Sequence, residues 1–174
     1  DKYDVLKGMK KGGTFLLNSI WNEEETKNHL PVSMKKFMAE NEIQFYTINA
    51  TAIAEEIGLG NRTNTIMQSS FFKIAEVIPY DEAVVQMKKA IVKTFGIKGE
   101  NVINMNYAAV DRGGDIVKIE VPTVWTDLNI EASVDTRDIP DFIKNIVEPI
   151  NNQKGDDLPV SAFVGREDGT FPAG

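Results

Sequence analysis

In the first fifty residues, an amphipathic run lies between two short apolar runs. This order limits the possible folds more than any other feature of the sequence. The run TFLLNSI begins at Thr14, and the run IQFYTINA begins at Ile43. Such apolar, β-branched and aromatic composition is typical of strands. Between them, VSMKKFMAEN predicts a helix that buries Met34, Phe37 and Met38. Strand, helix and strand with short connections predict a right-handed βαβ unit with parallel strands, and we expect TFLLNSI to be buried on both faces.

Further helices are predicted on both sides of this unit. A short one is expected over residues 2–11, and three longer ones follow the second strand. The first of these covers residues 63–78, the second is capped by Asp81 after Pro79, and the third runs from near Glu100 to near Gly113. Their predicted buried stripes are Met67, Phe71, Ile74, Ala75 and Ile78 in the first, Val84, Met87, Ile91 and Phe95 in the second, and Val102, Ile103, Asn106, Ala109 and Val110 in the third.

The character of the sequence changes after Gly114. The run DIVKIEVPTVW is extended, and Pro122 restricts it to a sheet edge or a linker. The run DIPDFIKNIVEPI predicts one helix capped by Asp138. We therefore expect an α/β domain in residues 1–113 and, in residues 114–174, an extended linker with one helix.

Composition excludes several classes of function. The chain of 174 residues has a formal net charge of −7, which argues against a nucleic-acid or anionic membrane partner. Because the chain has no cysteine, it cannot hold a disulfide, a thiolate zinc site or an iron–sulfur cluster through its own thiolates. No apolar run approaches the roughly 20 residues that span a bilayer. The chain starts at Asp1 inside a predicted helix, so we expect it to be a fragment of a longer protein.

The stretch GLGNRTNT, between a short helical run and the helix predicted over residues 63–78, is unusually rich in small polar groups. It departs from the dinucleotide fingerprint, since Thr63 stands at the third glycine position and a helix precedes the loop. Two interpretations remain open. The polar residues are ordinary helix caps with Arg62 in solvent, or the helix N-terminus and Arg62 bind an anion.

Two other polar residues stand out. Asn106 interrupts the apolar stripe of its helix, so its amide is either hydrogen-bonded within the core or faces a cleft and meets a ligand. His29 is the only histidine, and its polar surroundings favour a surface position over a catalytic one.

Four stretches resemble one family in order along nearly the whole chain. They are KGGTFLLNSIW, IGLGNRTNTIMQSSFFKIAEVIPYDEAV, NMNYAAVDRG and DLPVSAFVGREDGTFPAG. These look like the single-chain pyruvate:ferredoxin (flavodoxin) oxidoreductases, which are thiamine-dependent enzymes of anaerobic metabolism.

The resemblance implies a fold and a place in a larger enzyme. Residues 1–113 would be the later part of the gamma-type domain, a partial three-layer α/β/α domain with a short, mostly parallel sheet. Residues 114–174 would be the linker and the start of the next region. The resemblance also implies that the whole enzyme is a cytoplasmic homodimer. It would convert pyruvate and coenzyme A to acetyl-CoA and CO2. Its electrons would leave through [4Fe–4S] clusters to ferredoxin or flavodoxin.

The same resemblance implies what this segment contributes. Thiamine diphosphate, Mg²⁺ and the clusters would be held elsewhere in the enzyme, so no catalytic and no metal-binding residue is expected here. The gamma-type domain helps to hold coenzyme A, and the resemblance carries this role to Asn64 and Asn106. We expect both amides to point toward one cleft, with Asn64 on the same inward side as Phe71 and Ala75. The alternative is a structural interdomain module without ligand contact.

Overall fold

The computed structural model of the protein describes residues 5–129, 139–165 and 168–169. By their internal contacts the residues separate into two units, Met9–Ile130 and a second made of Asp1–Gly8 with Glu131–Gly174. The elements of the first unit are β1 (Thr14–Asn18), α1 (Glu23–His29), α2 (Val32–Glu40), β2 (Gln44–Ile48), α3 (Ala50–Glu56), α4 (Asn64–Ala75), α5 (Tyr80–Phe95), a 3-10 turn (Gly96–Lys98), α6 (Glu100–Arg112), β3 (Val117–Ile119) and a 3-10 turn (Thr123–Asp127).

The sheet has the order β1-β2-β3. Strands β1 and β2 are parallel, with Phe15 opposite Phe45, which confirms the predicted parallel pairing, and two helices, α1 and α2, connect them. Strand β3 runs antiparallel to β2 and lies at the edge, as Pro122 predicted. The mixed α/β class is therefore confirmed, and the fold is consistent with part of an α/β/α domain.

The two faces of the sheet carry different apolar groups. On one face, Phe15 stacks on the fully buried Phe45, with ring centroids 5.6 Å apart. On the other, Leu16 packs against a buried cluster that comes from β2, three helices and the loop between α3 and α4. Strand β1 is only half-buried on both faces, so the expectation of complete burial is wrong for the described part of the chain. The buried cluster consists of Ile48, Ala50, Ile53, Ala54, Leu59, Ile66 and Ala109.

Helices α5 and α6 bury the faces that their periodicity predicted. Met87 and Ile91 of α5 and Val110 of α6 form one buried cluster. Helix α5 begins at Tyr80 after Pro79, so Asp81 lies in the first turn and is not the cap. The Asp81 carboxylate still stabilises the helix, because its negative charge interacts favourably with the positive end of the helix dipole.

Helix α4 turns a different face inward from the predicted one. Its buried residues are Ile66, Ser69 and Ser70, whereas Phe71 is 53% exposed. Buried polar groups need hydrogen-bond partners, and both serine hydroxyls donate to a carbonyl here, so a polar pair can occupy the inner face. The helix also ends at Ala75 rather than at residue 78, with Glu76 in the left-handed conformation at its C-terminus.

One other prediction needs correction. Residues 5–8 and 11–12 form turns, so the helix expected over residues 2–11 is wrong for the described part. The sheet also continues past Gly114, because β3 follows it, and the first compact unit extends to Ile130. The division near Gly114 stays a prediction of where the domain ends in the complete protein.

The second unit contains a π-helix (Ile143–Val147) that continues into α7 (Glu148–Asn151), followed by 3-10 turns at Gly155–Asp157 and Val160–Phe163. This agrees with the helix predicted around residues 138–150, although its proposed cap Asp138 lies outside the described residues. Leu6 and Ile146 are buried, and Lys7 forms an exposed ion pair with Asp157 at 3.6 Å.

Candidate functional site

The polar loop between α3 and α4 is held by one apolar anchor and two glycines. Leu59 is 4% exposed and belongs to the buried cluster behind the sheet. Gly58 and Gly60, on either side of it, have φ angles of +82° and +62°, which favour glycine strongly. With Leu59 fixed in the core, the loop presents Asn61 and Arg62 to solvent.

The N-terminus of α4 follows this loop. Thr63 precedes the helix in a helical conformation, and its side chain makes no capping hydrogen bond. Asn64 is the first helical residue and is exposed, so the expectation that it points inward with Phe71 is wrong. The first N–H groups of a helix have no partner within it and form its positive end, which attracts anions.

Asn106 occupies the inner face of α6 and is only 6% exposed. Its amide nitrogen donates to the Val102 carbonyl at 2.8 Å, and its amide oxygen accepts from the Thr65 hydroxyl at 3.4 Å. Of the two interpretations left open by the sequence, the structure matches an amide that is satisfied within the protein. The structure therefore connects Asn106 to the first turn of α4, through Thr65 and not through Asn64.

Close packing of α4 on α6 fixes this arrangement. The Ser69 hydroxyl donates to the Val110 carbonyl at 2.6 Å, and the Ser70 hydroxyl donates to the Gly113 carbonyl at 2.8 Å. Since a serine hydroxyl carries one hydrogen, the Tyr80 hydroxyl donates to the Ser69 oxygen, 2.9 Å away. The helices lie so close at Gly113 that an added methyl group would be 2.6 Å from the Ile66 carbonyl oxygen.

A cleft of about 430 Å³ lies between α4 and α5. Its walls include the apolar side chains of Phe72, Met87 and Ile91, with the polar groups of Thr65 and Gln68 on the α4 side. Because Thr65 also donates to Asn106, the cleft, the start of α4 and the buried amide form one connected region.

A second crevice, of about 340 Å³, lies beyond the carboxyl ends of β1 and β2. Ligands of open α/β sheets bind at such ends. Here Arg112 donates from Nε to Asp115 at 2.6 Å and from Nη1 to Glu56 at 3.1 Å. Hydrogen bonds to Asp115 and then to Glu56 raise the pKa of Arg112 further above its usual value. With Glu23 also in the lining, carboxylates outnumber the guanidinium, so this crevice disfavours an anion.

The single histidine lies next to the second crevice. His29 is exposed at the end of α1 and stacks on Trp21, with ring centroids 4.2 Å apart. Its Nδ1 is 2.8 Å from the Glu25 carbonyl oxygen. This position agrees with a surface histidine. Among the described residues, no group of three or more His, Asp or Glu side chains could hold a metal ion.

Several contacts could not be predicted from the sequence. Arg112 joins α3 to the segment before β3, and its only local signal is the i, i+3 spacing to Asp115. The Ser69 and Tyr80 pair has no such signal, since the two residues belong to different helices. Over the described part of the chain, none of the helices has the length and apolar character needed to cross a membrane.

The fold is that of a segment of a mixed α/β protein in which a polar loop leads into the N-terminus of α4, close to Asn106 of α6. A family model described as pyruvate ferredoxin/flavodoxin oxidoreductase matches residues 1–116. A second model, described as a domain of unknown function, matches residues 130–174. The chain belongs to the pyruvate ferredoxin/flavodoxin oxidoreductase family, as its resemblance implied.

Similar proteins extend over the whole chain. The pyruvate:ferredoxin oxidoreductase of Moorella thermoacetica is 50% identical over 99% of this chain. The pyruvate-flavodoxin oxidoreductase of Enterobacter agglomerans is also 50% identical, over 100% of it. A protein of Euglena gracilis named mitochondrial pyruvate dehydrogenase [NADP(+)] is 36% identical. The chain spans 15% of the length of the first two relatives, so it is a fragment of a protein of that kind.

Proposed function

We propose that the full-length protein is a thiamine-dependent oxidoreductase of the cytoplasm that converts pyruvate and coenzyme A to acetyl-CoA and CO2. Ferredoxin or flavodoxin would accept the electrons. The names of the two relatives that are 50% identical support the substrate and the acceptors. Thiamine diphosphate, Mg²⁺ and [4Fe–4S] clusters would be bound outside this segment. Its residues do not fit a cluster, because the chain has no cysteine.

Within that enzyme, we propose that this segment helps to hold coenzyme A at the start of α4. The observation that carries the proposal is the N-terminus of α4, where Thr63 makes no capping bond and Asn64 is exposed. Coenzyme A carries several phosphate groups, and a helix N-terminus favours phosphate. The amide of Asn64 can donate to a phosphate oxygen without adding charge. Arg62, also exposed in the loop, supplies a planar set of donors.

Asn106 takes a different part in this proposal. Because both groups of its amide already have partners in the fold, it acts by positioning Thr65 beside the start of α4. This observation also supports the second candidate, a structural interdomain module in which the amide only stabilises the packing of α4 on α6.

Substitution of Asn64 in the full-length enzyme separates the two candidates. Loss of one polar contact to a charged ligand costs about 1.5–3 kcal/mol, so Asn64→Ala should raise the KM for coenzyme A roughly ten- to a hundredfold. Reaction with pyruvate in the absence of coenzyme A should stay unchanged. Asn104→Ala is the matched control, since Asn104 is an exposed asparagine on α6. An unchanged KM for coenzyme A in a folded Asn64→Ala enzyme would favour the structural module.

A further inference from the structure

The two edges of the sheet differ in how they are protected against pairing with another strand. The β3 edge is three residues long, contains Lys118 and is followed by Glu120 and Pro122. Short length, charge and proline are the devices that keep a natural edge strand from pairing. The β1 edge has none of them, because its sequence TFLLN contains no charge and no proline.

The backbone of β1 is set up for a second neighbour. The Gly13 carbonyl accepts from the Gln44 N–H at 2.8 Å, and the Ser19 N–H donates to the Ile48 carbonyl at 2.9 Å. Backbone groups alternate in direction along a strand, so Phe15 and Leu17 also face β2. The N–H and C=O groups of Leu16 and its two even-numbered neighbours, Thr14 and Asn18, therefore point away from β2. No strand in the described part of the chain pairs there.

The side chains of β1 lead to the same conclusion. Phe15, Leu16 and Leu17 are apolar on both faces of the sheet, which is typical of an interior strand of a parallel sheet. All three are only half-buried here. Directly after the strand, Ile20 is 73% exposed and Trp21 is 39% exposed. A strand on the outer side of β1 would cover this apolar border.

We infer that β1 is an interior strand in the complete protein. Its outer edge pairs in parallel with a strand from the part of the polypeptide that lies outside these 174 residues. The chain spans only 15% of the length of its relatives, which leaves ample polypeptide to supply this strand. The inference is independent of the proposed contact with coenzyme A.

Residue-resolved hydrogen exchange in the full-length enzyme tests the pairing. The amides of Phe15 and Leu17, which face β2, are the internal reference. If β1 is interior, the outward amides of Leu16 and Asn18 should exchange within about tenfold of that reference. Outward amides that exchange at the rate of unprotected peptide, beside slow inward ones, would show an open edge and overturn the inference.

A crosslink identifies the occupant. Thr14 is exposed at the start of β1, so the full-length variant Thr14→p-benzoylphenylalanine places a photoreactive group at the edge. We expect a product of single-subunit mass in which residue 14 is joined to a peptide outside residues 1–174. A product of twice the subunit mass would assign the edge to a second copy. A crosslink only to residues of this segment would also contradict the inference.

Discussion

Replacement of Gly113 by alanine sets two effects of opposite sign against each other. Gly113 has φ −64° and ψ −15°, which any L-residue adopts readily. From backbone entropy alone, Gly113→Ala should stabilise the protein by about 0.4–1 kcal/mol. The structure predicts the reverse, because the new methyl group would overlap Ser69 Cβ and lie 2.6 Å from the Ile66 carbonyl oxygen.

The cost follows from what the methyl group meets. Backbone and Cβ atoms of α4 cannot rotate away, so α4 and α6 must separate. Separation would stretch the hydrogen bonds from Ser70 to the Gly113 carbonyl and from Ser69 to the Val110 carbonyl. Overpacking of this kind costs typically 1–3 kcal/mol. After the entropic gain is subtracted, we expect a net destabilisation of up to about 2.6 kcal/mol, with exchange of the α6 amides faster by up to roughly seventyfold.

Native-state hydrogen exchange of the full-length enzyme is the assay, since thermal unfolding of a multidomain protein does not give one free energy. Gly96→Ala is the matched control, because Gly96 is also helical, with φ −52° and ψ −39°, and has no atom within 4 Å of the added methyl group. Gly96→Ala should slow local exchange or leave it unchanged. If Gly113→Ala behaved like Gly96→Ala, the close approach of α4 to α6 would be refuted.

Three further substitutions test the polar contacts of α4 and α6. Ser69→Ala should destabilise this helix pair by about 1–2 kcal/mol, because the fully buried hydroxyl bonds to both Val110 and Tyr80, and Tyr80→Phe should cost less. Exchange rates of α6 amides give both values, and a cost of Tyr80→Phe that equals or exceeds that of Ser69→Ala would contradict the central place of Ser69 between Val110 and Tyr80. Asn106→Ala should accelerate the same exchange and raise the KM for coenzyme A less than Asn64→Ala does. A larger KM effect at Asn106 would mean that its amide contacts the ligand directly.

Sequence periodicity predicted the elements whose burial is apolar. Helices α5 and α6 bury Met87, Ile91 and Val110 as expected, since long amphipathic helices carry their inward face in the pattern of apolar residues. The parallel β1–β2 pair was predictable from the strand–helix–strand order.

The face of α4 could not be predicted in this way. Its inward residues include Ser69 and Ser70, which become good core residues only because carbonyls of α6 and its C-terminal end accept from them. Phe71 looks like a core residue and is exposed instead. The same inversion moved Asn64 from the predicted inward side to the surface, because its direction was derived from Phe71 and Ala75.

Part of the candidate site could nevertheless be predicted from the sequence. The sequence singled out the polar loop, Asn64 and Asn106, and the structure brings the loop, the start of α4 and Asn106 into one region through Thr65. The contact between Thr65 and Asn106 could not be predicted from the sequence, since it depends on the rotation of α4 about its axis and on the distance between α4 and α6.

The most direct test of the coenzyme A contact is hydrogen exchange of the full-length enzyme with and without saturating coenzyme A. The proposal predicts slower exchange at the amides of Asn64, Thr65 and Ile66, because these N–H groups at the positive end of α4 would donate to the bound ligand. The exchange rates of amides in the middle of α5 should not change when coenzyme A is added. Unchanged exchange at residues 64–66, with coenzyme A bound and other parts of the enzyme protected, would contradict the proposal.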